Sequence, residues 1–210
     1  MVKLYVEGGG SDSAALKAAC REGFKTFITK SGVANRPRVV ACGGRRDAYD
    51  SFCTAIRGGE AAMLLVDSEA AVDSHCQTGQ PSSWRPWQHL KRRQGDGWDK
   101  PGGAGETDCH LMVQVMESWF LIDPETLRDF FGQGFNENLL PSAANAMESI
   151  AKTAVYHGLD KAIRNCKTKA RYSKGEHSFK LLAKIDPRRV VDASPWARRF
   201  IDELKRRMDQ

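Results

Sequence analysis

Ala62-Met63-Leu64-Leu65-Val66-Asp67-Ser68-Glu69 sets five apolar residues in a row and stops them with an acid. A half-exposed strand would alternate apolar with polar, so this run suits a strand buried on both faces of a parallel sheet. Upstream, Gly58-Gly59 closes a helical pattern over 47–56, as glycines at helix C-termini often do. Before that, residues 38–42 read as a strand ended by Gly43-Gly44, and residues 3–6 as a strand ended by Gly8-Gly9-Gly10. Between these two, apolar residues at 15, 16, 19, 20, 24, 27 and 28 keep helical spacing, with Gly23 a weak point and Ser11 an expected N-cap. The alternation β-α-β-α-β predicts an α/β domain with an open parallel sheet and right-handed crossovers.

Downstream the pattern breaks. Residues 77–106 are rich in Gly, Pro and Trp, with one short helical candidate over 84–93, and a long irregular insertion of this kind is expected to be functional or disordered. Trp84, Trp87 and Trp98 lie around Lys91-Arg92-Arg93, a mixture that reads as a partner or substrate lid. Residues 109–116 read as a fourth strand, followed by helix from about Glu117. Beyond Asn145 the chain reads as helices over 146–166, about 176–185, and 195–208. The expected organisation is a core over 1–125, with its insertion, and a helical extension over 126–210 packed upon it.

Charge is unevenly placed. Residues 1–150 carry 16 basic and 19 acidic side chains, whereas residues 151–210 carry 16 basic and 7 acidic. A basic C-terminal third points to a polyanionic partner such as nucleic acid or to a solvated helix surface, and charge alone does not choose. The start of the chain lacks the apolar core of a signal peptide, and no apolar run could span a bilayer, so a cytoplasmic protein without a membrane partner is expected. The six scattered cysteines form no CxxC pair and read as free thiols in a reducing compartment.

The chemistry is carried by the acids. Glu7 follows the first strand, Asp67 and Glu69 the third, and Glu117 the fourth. In parallel sheets the carboxyl ends of strands share one edge, where ligands bind. An i, i+2 pair in extended chain would aim Asp67 and Glu69 to one side. Carboxylates held close repel unless a cation neutralises them or one takes up a proton, and Mg²⁺ prefers such oxygen donors.

Val6-Glu7-Gly8 after a first strand and Leu65-Val66-Asp67-Ser68-Glu69 after a third resemble the Toprim fold, a Rossmann-like domain shared by topoisomerases, primases and the overcoming-lysogenisation-defect nucleases. The resemblance implies a mainly parallel sheet of about four strands over residues 1 to about 125. It also implies Glu7 as general acid/base and Asp67 with Glu69 as ligands of Mg²⁺ or Mn²⁺. The Toprim pattern has Asp-x-Asp where this chain has Asp-x-Glu, which keeps the oxygen donors and lengthens the second arm. Met116-Glu117-Ser118-Trp119-Phe120-Leu121-Ile122-Asp123-Pro124, Lys174-Gly175-Glu176-His177 and Ile185-Asp186-Pro187 resemble small bacterial Toprim-like proteins. These are similar to the nuclease halves of phage-defence pairs, whose other half is an ABC-type ATPase.

The resemblance therefore implies phosphodiester hydrolysis of DNA or RNA, with Glu117 a further or water-mediated ligand and Lys174 and His177 assisting at the phosphate. Size excludes a strand-passing topoisomerase. Two other readings stand beside it. One is a catalytically inactive Toprim-like module that binds nucleic acid or a partner. The other is a pyrophosphate-loop ATP-binding enzyme, because Gly8-Gly9-Gly10-Ser11-Asp12-Ser13 nearly matches Ser-Gly-Gly-x-Asp-Ser. A Walker loop is excluded, as no Gly-Lys-Ser/Thr follows.

Overall fold

The computed structural model describes residues 1–10, 13–143 and 147–208. Four strands, β1 (Lys3–Val6), β2 (Arg38–Ala41), β3 (Ala62–Asp67) and β4 (Cys109–Met112), form one sheet in the order β2-β1-β3-β4. Every pairing is parallel, with Lys3 opposite Arg38 and Ala62, and Leu64 opposite Cys109. The α/β class expected from the apolar run is the one observed. All six residues of β3 are buried, and the two-residue period sorts them between two cores. Met63 and Leu65 join Leu4 and Val6 on one face, while Ala62, Leu64 and Val66 join Tyr5 on the other.

The first face is covered by α1 (Ala14–Lys30), α6 (Lys174–Leu182) and α8 (Pro195–Met208). Helix α1 starts at Ser13, whose hydroxyl accepts the Leu16 N–H at 3.2 Å. The N-cap expected at Ser11 lies outside the described residues. Gly23 lets α1 and α6 approach closely, since a Cβ there would lie 2.7 Å from the Phe179 carbonyl oxygen. The C-terminal part contributes Leu181, Leu182, Ile185 and Phe200 to the same core as the sheet, so the described residues beyond 126 complete the core.

The second face is covered by α2 (Arg45–Arg57), α3 (Pro86–Arg92) and the rest of the insertion. Trp84, Trp87 and Trp98 are buried there, with Trp84 4.8 Å from Trp196 and Trp87 donating its indole N–H to the Gly105 carbonyl at 2.9 Å. The expected aromatic lid is thus a cover over β3 and β4, and its tryptophans are packing anchors.

Two other boundaries differ from expectation. Strand β4 ends at Met112, and a 3₁₀ segment, Met116–Ile122, precedes α4 (Pro124–Phe131). Asp123 starts α4 by accepting from the Thr126 N–H and hydroxyl, and it also accepts the Asp186 N–H at 2.9 Å. Asp123-Pro124 is thereby tied to Asp186-Pro187, where a further helix, α7 (Pro187–Ala193), begins. Helix α5 spans Lys152–Ile163 and follows a 3₁₀ turn at Met147–Ser149, so the helix expected over 146–166 is shorter; Asn145 lies outside the described residues.

Strand β4 is an edge, yet all four of its residues are buried. From α8, the Arg199 guanidinium donates to the carbonyls of Cys109 (2.8 Å), Glu106 (2.7 Å) and Pro81 (2.7 Å) and to His110 Nδ1 (3.0 Å). A covered edge offers no template to another chain. Burial, helped by Arg199, holds His110 well below the usual imidazole range, leaving it a neutral acceptor.

Candidate functional site

The carboxyl ends of β1 and β3 bring the acids together. Glu7 leaves β1 with its N–H directed at the Leu65 carbonyl (3.4 Å), and Asp67 is the last residue of β3. Beyond Asp67 the chain turns instead of extending. Ser68 and Glu69 donate to the Met112 and Gln114 carbonyls at 2.9 and 2.7 Å, and Glu69 adopts φ +65°. A non-glycine residue held left-handed costs about 1 kcal/mol. It is this turn, not the extended i, i+2 geometry expected, that aims Glu69 back toward Asp67. One oxygen from each of Glu7, Asp67 and Glu69 lies within 4.8 Å of the others.

Asp67 is the buried member of the set. Its Oδ1 accepts the Met116 N–H at 2.8 Å. Burial, then the charges of Glu7 and Glu117, raise its carboxyl well above the usual range, and Lys174 opposes them. A cavity of about 320 Å³ opens beside Glu7 and Asp67, lined by Gly8-Gly9-Gly10 and Lys174. Gly8 has φ +128°, and a Cβ there would meet the Phe179 ring at 2.7 Å. Glycine thus lets the chain turn away from Glu7 while α6 closes over it. Larger hollows among Arg21, Lys25 and Arg36 (about 630 Å³) and among Leu121, Leu140 and Arg189 (about 680 Å³) gather no comparable set of donors.

Residues 6–205 match DUF4276, described as a domain of unknown function. The chain belongs to this family. No curated protein and no solved structure matched it. The DUF4276 match takes in the three acids and every cation described next, from the first strand to the last helix.

Of those cations, the sequence pointed to Lys174 alone as a site residue. Arg45, at the start of α2, donates to Glu7 Oε2 at 3.1 Å and to the Asp67 carbonyl oxygen. It is clamped by Asp96 (Nε to Oδ1 2.8 Å, Nη2 to Oδ2 2.7 Å) and lies 4.8 Å over the Trp98 ring. Burial works against its charge, but Asp96 and Glu7 more than offset that and hold the guanidinium protonated. Lys152, at the start of α5, is ion-paired to Glu69 Oε2, and Arg93 lies 3.9 Å from the same oxygen. Lys174, at the start of α6, lies 3.6 Å from Asp67 Oδ2, as its place in the basic segment led one to expect. Burial opposes its charge, whereas Asp67 and Glu117 raise its pKa.

Two of the predicted residues sit elsewhere. Glu117 is wholly buried, its two oxygens accepting the hydroxyls of Tyr156 (3.0 Å) and Tyr172 (3.1 Å), and it stands behind Asp67, outside the converging trio. Tyr172 and Tyr156 are both raised above the usual phenol range, by burial first and then by Glu117. His177 is buried among Phe130, Phe131 and Tyr172, and its Nδ1 accepts the Ser173 N–H at 3.1 Å. Burial lowers its pKa, so it is a neutral packing group that helps begin α6. Asp12, the acid of the pyrophosphate-type loop, lies outside the described residues.

Proposed function

We propose that this protein is a Mg²⁺- or Mn²⁺-dependent nuclease that hydrolyses phosphodiester bonds of DNA or RNA. The observation that carries the reading is the convergence of Glu7, Asp67 and Glu69 at the carboxyl edge of a parallel sheet, beside a glycine-lined cavity and Lys174. The donor set fits the ion, since three carboxylates supply hard oxygens within one small volume. When bound there, the ion supplies Lewis acidity toward the scissile phosphate and offsets charge developing on its oxygens.

The protein's own groups do the rest. Glu7, held in place by Arg45, either takes the proton of the attacking water, which passes to solvent while solvent protonates the leaving oxygen, or gives a proton to the leaving oxygen as the P–O ester bond breaks and solvent takes that of the attacking water. Lys174 faces the negative phosphate across the cavity. Gly8-Gly9-Gly10 leave room for the backbone of the strand. The wider assembly implied by the sequence resemblance adds an ABC-type ATPase partner and a cytoplasmic setting, and both belong to this proposal. Among the described residues no helix is long and apolar enough to cross a membrane.

The test is Mn²⁺ titration by calorimetry on the wild type and on Asp67→Ala, with circular dichroism to follow the fold. Binding that disappears in the folded variant supports the centre. Its absence from the wild type, with and without a short oligonucleotide, overturns the reading. Cleavage that needs Mn²⁺ and is lost in Glu7→Gln then distinguishes a nuclease from a module that only binds nucleic acid.

A further inference from the structure

Each acid of the trio already has a cation: Arg45 for Glu7, Lys174 for Asp67, and Lys152 with Arg93 for Glu69. These cations are not equally free to leave. Arg45 is fixed by two hydrogen bonds to Asp96 and by Trp98, with its side chain 14 % exposed. Arg93 has a second anchor, Asp96, at 3.0 Å. Lys152 differs from both. Its ammonium has Glu69 as its ion-pair partner, its side chain is 35 % exposed, and it stands on a flexible four-carbon stem at the first residue of α5. Lys152 and Arg93 both address Glu69 through one oxygen, Oε2.

A divalent ion drawn to the trio competes with Lys152 for Glu69. Displacing the lysine leaves its ammonium beside a new double positive charge, which is unfavourable until an anion arrives. A phosphodiester answers both charges. We propose that Lys152 is a phosphate-binding residue held in reserve by Glu69, so that divalent metal and polyanion bind cooperatively. This rests on the nuclease reading of the same site and adds to it an order of dependence: the metal centre is weak until substrate supplies the anion. Lys174, 3.6 Å from Asp67 and half-exposed, is the neighbouring cation that shares the phosphate.

Coupling of this kind is reciprocal and commonly amounts to about 5–150-fold in affinity. The experiment titrates Mn²⁺ calorimetrically into wild type and Lys152→Met, each alone and with a short uncleavable phosphorothioate oligonucleotide whose own binding is followed by fluorescence anisotropy. In wild type, Mn²⁺ is expected to bind about tenfold more tightly with the oligonucleotide present. In Lys152→Met, Mn²⁺ alone is expected to bind more tightly than in wild type, and the gain from oligonucleotide to shrink below about threefold. Lys152→Gln repeats the test with a polar side chain should the methionine variant fold poorly. If wild type binds both ligands without mutual effect, or if the variants keep the full coupling, the inference falls and the nuclease reading stands. If folded wild type binds no Mn²⁺ in any arm, both fall together.

Discussion

Asp96 grips Arg45 through two parallel hydrogen bonds, and Arg45 in turn joins Glu7 to the end of β3. A residue of the irregular insertion thereby sets the position of a sheet-edge carboxylate. Truncating Asp96 leaves a buried guanidinium with one partner fewer. We expect Asp96→Ala to destabilise the protein by about 3 kcal/mol in a denaturant titration. Although burial alone would raise it, the Asp96 carboxyl is held below its usual range by Arg45 and Arg93. Its contribution is therefore present above the unfolded-state value near 3.8 and is lost as pH falls through the lower folded value. Asp96→Ala should lose this acid dependence, which thermal melts below about pH 5 would record.

Asp67 has the opposite sign. Its carboxyl is raised by burial and by Glu7, so the folded state holds a proton more tightly than the unfolded state. In metal-free protein that contribution is full below the unfolded value near 3.8 and is lost as pH rises toward the folded one. Asp67→Asn keeps the shape and removes the charge. With chelator present, its melting temperature at neutral pH should exceed that of wild type by about 2–4 °C, the size of a 1 kcal/mol gain. Added Mn²⁺ should raise the melting temperature of wild type and leave the variant unmoved. A variant that melts below wild type under chelation would contradict this account.

Glu117 separates a ligand from a brace. Both of its oxygens are occupied by tyrosine hydroxyls. Glu117→Gln should preserve Mn²⁺ affinity within about threefold, because its carboxylate lies outside the converging trio. Glu117→Ala should cost about 2 kcal/mol of stability by leaving two partly buried phenols without their acceptor. A Gln variant that has lost Mn²⁺ binding altogether would restore Glu117 to the ligand set.

Gly23 reverses the usual helix rule. Glycine to alanine inside a helix ordinarily stabilises by up to about 1 kcal/mol. Here the added methyl would meet the Phe179 carbonyl at 2.7 Å, so α6 must back away from α1. Gly23→Ala is expected to destabilise by about 2 kcal/mol. Because α6 also carries Lys174, the electrostatic surroundings of Asp67 should shift with it, and Mn²⁺ titration on the folded variant checks that link.

What could be read in advance follows from how local each signal is. Five apolar residues before Asp67 are a local fact, and so are the acids at the ends of β1 and β3; both survive folding unchanged. Glu7, Asp67 and Glu69 were legible for that reason. Arg45, Arg93 and Lys152 were not, since their place beside the acids depends on how α2, the insertion and α5 dock, which no spacing announces. The Arg-Arg pair after Gly43-Gly44 was the one visible hint, lying just beyond a strand end. The tryptophans misled because their composition matched a stacking surface while the bare second face of β3 and β4 had a prior claim on them. His177 shared a short motif with Lys174 but packs against Phe130 and Phe131, whereas Lys174 reaches Asp67.

The late position of α8 has a consequence for biosynthesis. A chain emerging from a ribosome has completed its acidic trio by residue 69, yet Lys152 and Lys174 follow only after roughly 5–20 s of further elongation. Arg199, which covers the edge of β4, comes later still. During that interval Asp67 and Glu69 lack their lysine partners and the nascent sheet has an open flank, the condition in which chaperones engage a polypeptide. Docking of α5 through α8 ends both exposures, so maturation of the fold and maturation of the acidic centre depend on the same helices.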